Sequence, residues 1–236
     1  MRKRVAAISA IVCLTVVSGI AVAEPPGHGW VPLFNGKDLT GWKLPPKGQG
    51  HWKVVEGVID YDAQGGGDLW TEKSFGAFAL HIEWRAKTSK DLYGSDKDQD
   101  GKPYAYTPDS GIFLRGLPKA QMNIWLSPLG SGEIWGYRTD AKLPAEVCKA
   151  ATPKLRADKP WGQWNVQEAS LKGDRLTVVL NGQTIIDNTP LPGIPATGPI
   201  GLQHHGGFDP VTKRWRPSSA CVQFRNIYIK PIADGK

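Results

Sequence analysis

The sequence predicts an all-β fold: two antiparallel sheets packed as a sandwich or jelly roll. Three observations support this. Helical periodicity is almost absent along the 236 residues. Short runs alternating apolar and polar residues recur throughout, the mark of strands with one buried face. The 28 glycines and 19 prolines punctuate those runs and supply turn chemistry. Many short strands joined by turns close into sandwiches or jelly rolls, and a chain of this length accommodates one such domain.

The elements follow in chain order. Met1-Arg2-Lys3-Arg4, an apolar run from Val5 to Val22, and Ala21-Val22-Ala23 form the three parts of a secretory signal peptide. Cleavage after Ala23 is expected. That leaves a single domain over 24–236, exported to a bacterial periplasm or secreted. An uncleaved anchor is the alternative, because the run is about long enough to cross a bilayer. No second apolar stretch is long enough to cross, so no membrane partner is expected after cleavage. Residues 51–60 read as strand, turning at Glu56-Gly57. Residues 76–87 alternate, with Phe78, Leu80, Ile82 and Trp84 on one face and Ala79, His81, Glu83 and Arg85 on the other. Residues 109–126 hold two strand-like runs flanking a Gly116-Leu117-Pro118 break. Only 141–151 suits a helical turn or two, limited by Pro144 and Pro153. Strands at 163–171, 175–180, 183–187, 198–204 and 221–230 complete the set. Asn181-Gly182 joins two of them, and both residues tolerate the positive φ of a type I′ hairpin.

Charge and cysteines narrow the function classes. The formal net charge of +7 falls to +4 once Arg2, Lys3 and Arg4 leave with the signal peptide. The remaining basic residues are scattered among acids, which argues against nucleic acid as a partner. Cys148 and Cys221 remain in the exported part, and a disulfide or two buried thiols are both open. No G-x-S-x-G motif, phosphate-cradling glycine loop or Cys/His zinc spacing is present.

Parity along the strands gathers a candidate site. Met122, Ile124 and Leu126 share an apolar face, while Gln121, Asn123 and Trp125 share the other. Two amides and an indole suit a sugar, with a flat ring for stacking and planar groups for hydroxyls. An ordinary solvent face is the alternative. On 198–205, Gln203 and His205 lie on one side and Ile200, Leu202 and His204 on the other. Combining strands gives one polar face of His81, Glu83, Arg85, Arg115, Gln121, Asn123, Trp125, Gln203 and His205. His205 or Glu83 would be the base and Arg115 the cation for a developing oxyanion. Asp109, Gln121, Asn123, Trp125 and Gln203 would bind substrate.

Two further motifs bear on chemistry. Asp96, Asp98 and Asp100 alternate before Gly101, like the opening of a calcium loop. They allow calcium or another divalent metal as cofactor. Thr107 stands where the bidentate glutamate would be, and a solvated acidic loop is the competing reading. A retaining glycosidase needs two carboxylates about 5 Å apart. Gln121 and Asn123 cannot supply them, so double displacement from that strand is excluded.

Seven blocks then occur in order: Phe34 to Trp42, Trp52 to Ile59, Asp109 to Gly116, Trp164 to Glu168, Leu180 to Gly182, Gly198 to Gly206 and Phe224 to Ile229. Together they resemble the DUF1080 family, the 3-keto-disaccharide hydrolase domain. The resemblance implies a concanavalin A-like jelly roll, export, and action on oxidised glycosides. Arg115, Gln203, His205 and Gly206 fit the family pattern. Asp109 replaces a frequent Asn, Gln121 and Asn123 replace a frequent Glu-x-Gln, and His204 replaces a frequent Asp. A ketone at sugar C3 acidifies the C2 proton, so elimination followed by hydration calls for one base and an oxyanion stabiliser, with Arg115 or a metal as the alternatives for holding the enolate oxygen. The expected function is therefore an exported glycoside hydrolase or lyase acting on 3-keto-glycosides. A non-catalytic carbohydrate-binding module is the main alternative and an adhesion domain a third.

Overall fold

The computed structural model describes residues 26–46, 51–62, 66–88, 90–91, 108–125, 127–205, 208–209, 214–215 and 222–233. The expected signal peptide, Asp96, Asp98, Asp100, Leu126, Gly206 and Cys221 lie outside them.

Strands β1 (Val31–Pro32), β2 (Trp42–Lys43), β3 (Trp52–Val55), β4 (Val58–Tyr61), β5 (Leu69–Thr71), β6 (Phe78–Ala86), β7 (Asp109–Leu114) and β8 (Leu117–Trp125) come first. Two short helices follow, α1 (Trp135–Arg138) and α2 (Ala145–Ala150). Strands β9 (Asn165–Lys172), β10 (Arg175–Leu180), β11 (Gln183–Pro190), β12 (Gly201–Leu202), β13 (Phe208–Asp209), β14 (Arg214–Trp215) and β15 (Val222–Pro231) complete the described chain. The larger sheet runs β11-β10-β9-β6-β15-β4-β3, with β1 on β15. The smaller runs β2-β5-β12-β7-β8, and β13 pairs with β14 alone. This is the all-β, two-sheet antiparallel architecture that the alternation predicts.

Alternation decides which side of each strand enters the core. Phe78, Leu80, Ile82 and Trp84 of β6 face inward, fully buried. Ile112, Met122, Ile124 and Leu202 face them from the smaller sheet, also fully buried. Each such side chain contributes about 1.5–3 kcal/mol when removed from water, so a one-residue slip would expose the whole set. Gln167, a polar side chain buried in that layer, is satisfied because Trp84 Nε1 donates to its Oε1 at 2.7 Å.

Three two-residue hairpins use positive φ at both central positions: Glu56-Gly57 (51° and 78°), Arg115-Gly116 (48° and 67°) and Asn181-Gly182 (51° and 79°). Such turns match the twist of the flanking strands. The break expected at Gly116-Leu117-Pro118 is thus one residue earlier, and Leu117 and Pro118 already belong to β8. The expected helix reduces to α2, entered from Pro144. The strand expected at 198–204 pairs on both sides only at Gly201 and Leu202. Cys148 is a free thiol.

Candidate functional site

The outward face of the smaller sheet carries the site. Gln121, Asn123 and Trp125 of β8 point away from the core. The register sets Asp109 opposite Trp125, Gly111 opposite Asn123 and Phe113 opposite Gln121. Beyond β12, the Gln203 backbone N–H donates to the Gly111 carbonyl at 2.9 Å. The Ser110 hydroxyl donates to the Gln203 carbonyl at 3.1 Å. These bonds place Gln203 and His205 beside the amides of β8. Asp109, Gln121, Asn123, Trp125, Gln203 and His205 line one pocket of about 230 Å³, with Trp135 of α1.

Glycine at two floor positions is a packing requirement. A Cβ on Gly111 would meet Gln121 Nε2 at 2.2 Å, and one on Gly201 would meet the Trp70 ring at 2.6 Å. Trp70 in turn stacks on Phe113, with ring centroids 5.2 Å apart. The glycines let amide and indole groups lie flat on the sheet.

Two site residues escape the alternation. The stretch before α1 borrows β8 as a partner: the Gly132 N–H donates to the Asn123 carbonyl at 2.7 Å, and the Asn123 N–H to the Glu133 carbonyl at 2.9 Å. Ile134 bridges Met122. Glu133 therefore lies opposite Asn123, only 1% exposed. Its carboxylate accepts from Asn123 Nδ2 at 3.0 Å and, through a short bond, from Arg138 Nε. Trp135 follows, 48% exposed at the pocket wall. The only sequence signal was an acid two residues from a tryptophan, just after Gly130-Ser131-Gly132, and an irregular segment has no parity to read.

His205 Nδ1 stands 3.5 Å from Asp109 Oδ2. Burial pushes the Asp109 carboxyl above its ordinary range; His205 pulls it down and the Glu133 charge adds to the rise. Neighbouring His204 points elsewhere. The Tyr61 hydroxyl is 2.5 Å from its Nδ1, and its backbone N–H donates to Asp68 Oδ1 at 2.8 Å. Burial pushes the His204 imidazole down and the Asp68 carboxyl up. This partly buried tie fixes the backbone that presents Gln203 and His205.

Two expected catalytic residues are elsewhere. Glu83 lies on β6 of the larger sheet, whose outward face is the opposite surface of the sandwich. Its carboxylate accepts from Arg225 Nε at 2.7 Å and Asn226 Nδ2 at 2.9 Å. Parity separates inward from outward but does not say which sheet a strand joins. His81 and Arg85 share that far face: His81 is 3.5 Å from Glu168, and Arg85 donates to Gln223. Arg115 sits in the hairpin, 3% exposed. It donates to the carbonyls of Gly76 (3.0 Å), Gly173 (2.7 Å) and Pro195 (3.0 Å). It clamps loops together and does not reach the pocket. Among the described residues no three His, Cys, Asp or Glu side chains group as a metal cage.

A family model described as the 3-keto-alpha-glucoside-1,2-lyase-like domain matches residues 29–230. No curated protein matches the chain. Two candidate glycosyl hydrolases of Parabacteroides distasonis ATCC 8503 are similar solved structures. One shares 25% identity over 87% of this chain and 84% of its own, with a TM-score of 0.60. The other shares 20% over 87% and 94%, with a TM-score of 0.56, and supports the fold alone. The family model and the first of these structures support a carbohydrate-active domain, and both structures share the fold of this chain.

Proposed function

We propose, from the premise that the chain belongs to the 3-keto-alpha-glucoside-1,2-lyase-like family, that it cleaves 3-keto-glycosides by elimination and hydration. The observation that carries this is the Asp109–His205 pair at 3.5 Å, set in a pocket of amides and indoles. His205 takes the C2 proton, and the C–H electron pair becomes the enolate with its charge on the C3 oxygen. Asp109, at Nδ1, orients the ring and steadies the imidazolium. Collapse of the enolate breaks the C1–O bond, and the departing oxygen takes the proton that His205 holds, which returns the imidazole to its neutral form. Water then adds across C1 and C2, its oxygen to C1 and a proton to C2. The sum is 3-keto-glycoside plus water giving 3-keto sugar plus alcohol. Trp125 and Trp135 offer flat faces to the ring.

The A-x-A leader supports work outside the cytoplasm, in a periplasm or the medium. A divalent cation on Asp96, Asp98 and Asp100 rests on their spacing alone.

A second reading, a non-catalytic carbohydrate-binding module, draws on one observation. Gln121, Asn123 and Glu133 already bond to one another, as a rigid binding floor would. Aglycone release from a 3-keto-glucoside, with the unoxidised glucoside as control, separates the two. Release from the keto compound alone is the expected result. Saturable binding with no release by the wild type would leave the binding module standing.

A further inference from the structure

Three side-chain amides stand in a row across the pocket floor, and their direction is not arbitrary. Asn123 lies between Glu133 and Gln121, and Gln121 lies between Asn123 and Gln203. A row of amides can run either way, since each has one accepting and one donating end. The end group breaks the tie. The Glu133 carboxylate, paired with Arg138, only accepts. Asn123 must therefore present Nδ2 to it, at 3.0 Å. Asn123 Oδ1 then faces Gln121, which must answer with Nε2, at 3.3 Å. A second acceptor imposes the same choice, because the Ser110 carbonyl lies 3.3 Å from that Nε2. Gln121 Nε2 also donates to Gln203 Oε1 at 2.6 Å. With its oxygen so engaged, Gln203 turns its NH2 group away from Gln121. That nitrogen has no partner among the described residues, and Ser131 Oγ is the one buried side-chain N or O atom among them that lacks a partner. The Gln203 NH2 is therefore open to the pocket that Gln203 lines.

We infer that Gln203 Nε2 is the donor that holds the enolate oxygen, and that Glu133 is a positioning residue that fixes the donor's direction through Asn123 and Gln121. This rests on the keto-glycoside reading. Were the row reversed, Gln203 would aim its carbonyl oxygen at a developing negative charge. The two directions contain the same amide–amide bonds, so the acceptors around the row, the Glu133 carboxylate at its end and the Ser110 carbonyl beside Gln121, select the productive one. The network also accounts for the absence of acids at 121 and 123. An acid at either position would put an acceptor-only group where the row needs a donor, and the carboxylate stands instead one rung further out, at Glu133.

The test combines kinetics with amide NMR on the mature protein. Gln203→Glu replaces the donor by an acceptor of the same shape, and kcat for a 3-keto-glucoside should fall about 10²- to 10³-fold. KM should change little, because the charge exists only in the transition state. Glu133→Gln removes one of the two acceptors that set the direction and leaves the Ser110 carbonyl, so kcat should fall at most about twofold, the factor for two equally populated states. In the 15N-glutamine spectrum of the wild type, the Gln121 NH2 should be protected from solvent exchange and the Gln203 NH2 should exchange freely. Glu133→Gln should blur that contrast. Full kcat in Gln203→Glu, or a protected Gln203 NH2 beside a free Gln121 NH2, would overturn the inference. If the wild type itself releases no aglycone, the keto-glycoside reading and the enolate role fall together, while the spectrum still decides the direction of the row.

Discussion

The two sheets of the sandwich turn very different faces to solvent, though both obey the same alternation. The larger sheet presents charges that spend themselves on each other. Glu83 is held by Arg225 and Asn226, Arg85 by Gln223, and Arg225 lies 4.0 Å over the Trp164 ring. The smaller sheet presents glycines, amides and indoles, and the stretch from Gly132 to Arg138 borders it. What distinguishes a site from a solvated face here is not polarity. It is the missing Cβ atoms at Gly111 and Gly201, which recess the floor, together with a neighbouring segment that walls it.

The largest expected effect tests that contrast directly. His205→Ala should lower keto-glycoside turnover about 10²- to 10⁴-fold, the range for loss of a general base. Glu83→Gln should leave turnover within about twofold, since nothing on the far face reaches the pocket, and an exposed-to-half-buried ion pair is worth only about 0–1 kcal/mol of stability. Comparable losses in the two variants would erase the distinction between the faces. Next in size is Arg115→Met. Its guanidinium gives charge-assisted bonds to three carbonyls from three different loops, each such bond being worth about 1.5–3 kcal/mol and not additive. Denaturant unfolding should show a loss of about 2–4 kcal/mol on that basis, while kcat of the folded fraction stays at the wild-type value. A catalytic Arg115 would show the reverse: intact stability and lost kcat.

This pair of variants also marks where the sequence could be read and where it could not. Period-two alternation located β6, β7, β8, β9 and β10, because burial on one face imposes it. Asn181-Gly182 announced its hairpin, because few residues adopt two successive positive φ values. The same alternation grouped Gln121, Asn123, Trp125, Gln203 and His205, which share one pocket with Asp109. Glu83 joined that group wrongly, since sheet membership depends on long-range pairing that no local pattern encodes. Arg115 failed for a second reason: at φ 48° it belongs to a turn, where strand parity stops. Glu133 and Trp135 were invisible for a third, because their segment pairs with β8 without being a regular strand.

Gly111→Ala sharpens the comparison at a smaller scale. Its new methyl would sit 2.2 Å from Gln121 Nε2, so either Gln121 leaves the amide row or the β7–β8 pair shifts. Overpacking of this kind costs about 1–3 kcal/mol. Thermal unfolding should report that loss, and the 15N-glutamine spectrum should show Gln121 losing its protection from exchange. An unchanged Tm and spectrum would mean that the floor is not recessed for the amide's sake.

The smallest effect is electrostatic. Burial raises the Asp109 carboxyl, His205 pulls it down, and the Glu133 charge adds to the rise. The sign follows from linkage. A carboxyl whose folded pKa exceeds its unfolded value favours the folded state most when protonated, below the ordinary carboxylate range. That contribution is lost as pH rises through the raised folded value. Asp109→Asn removes the titration, so its Tm should match the wild type at the acid end of the window and exceed it near neutrality. The His205 charge opposes the shift, so the gain should be modest, and larger in a His205→Ala background where that opposition is gone. A wild type more stable than Asp109→Asn at neutral pH would show the Asp109–His205 attraction outweighing burial. The acid would then be an ordinary surface ion, as on the larger sheet.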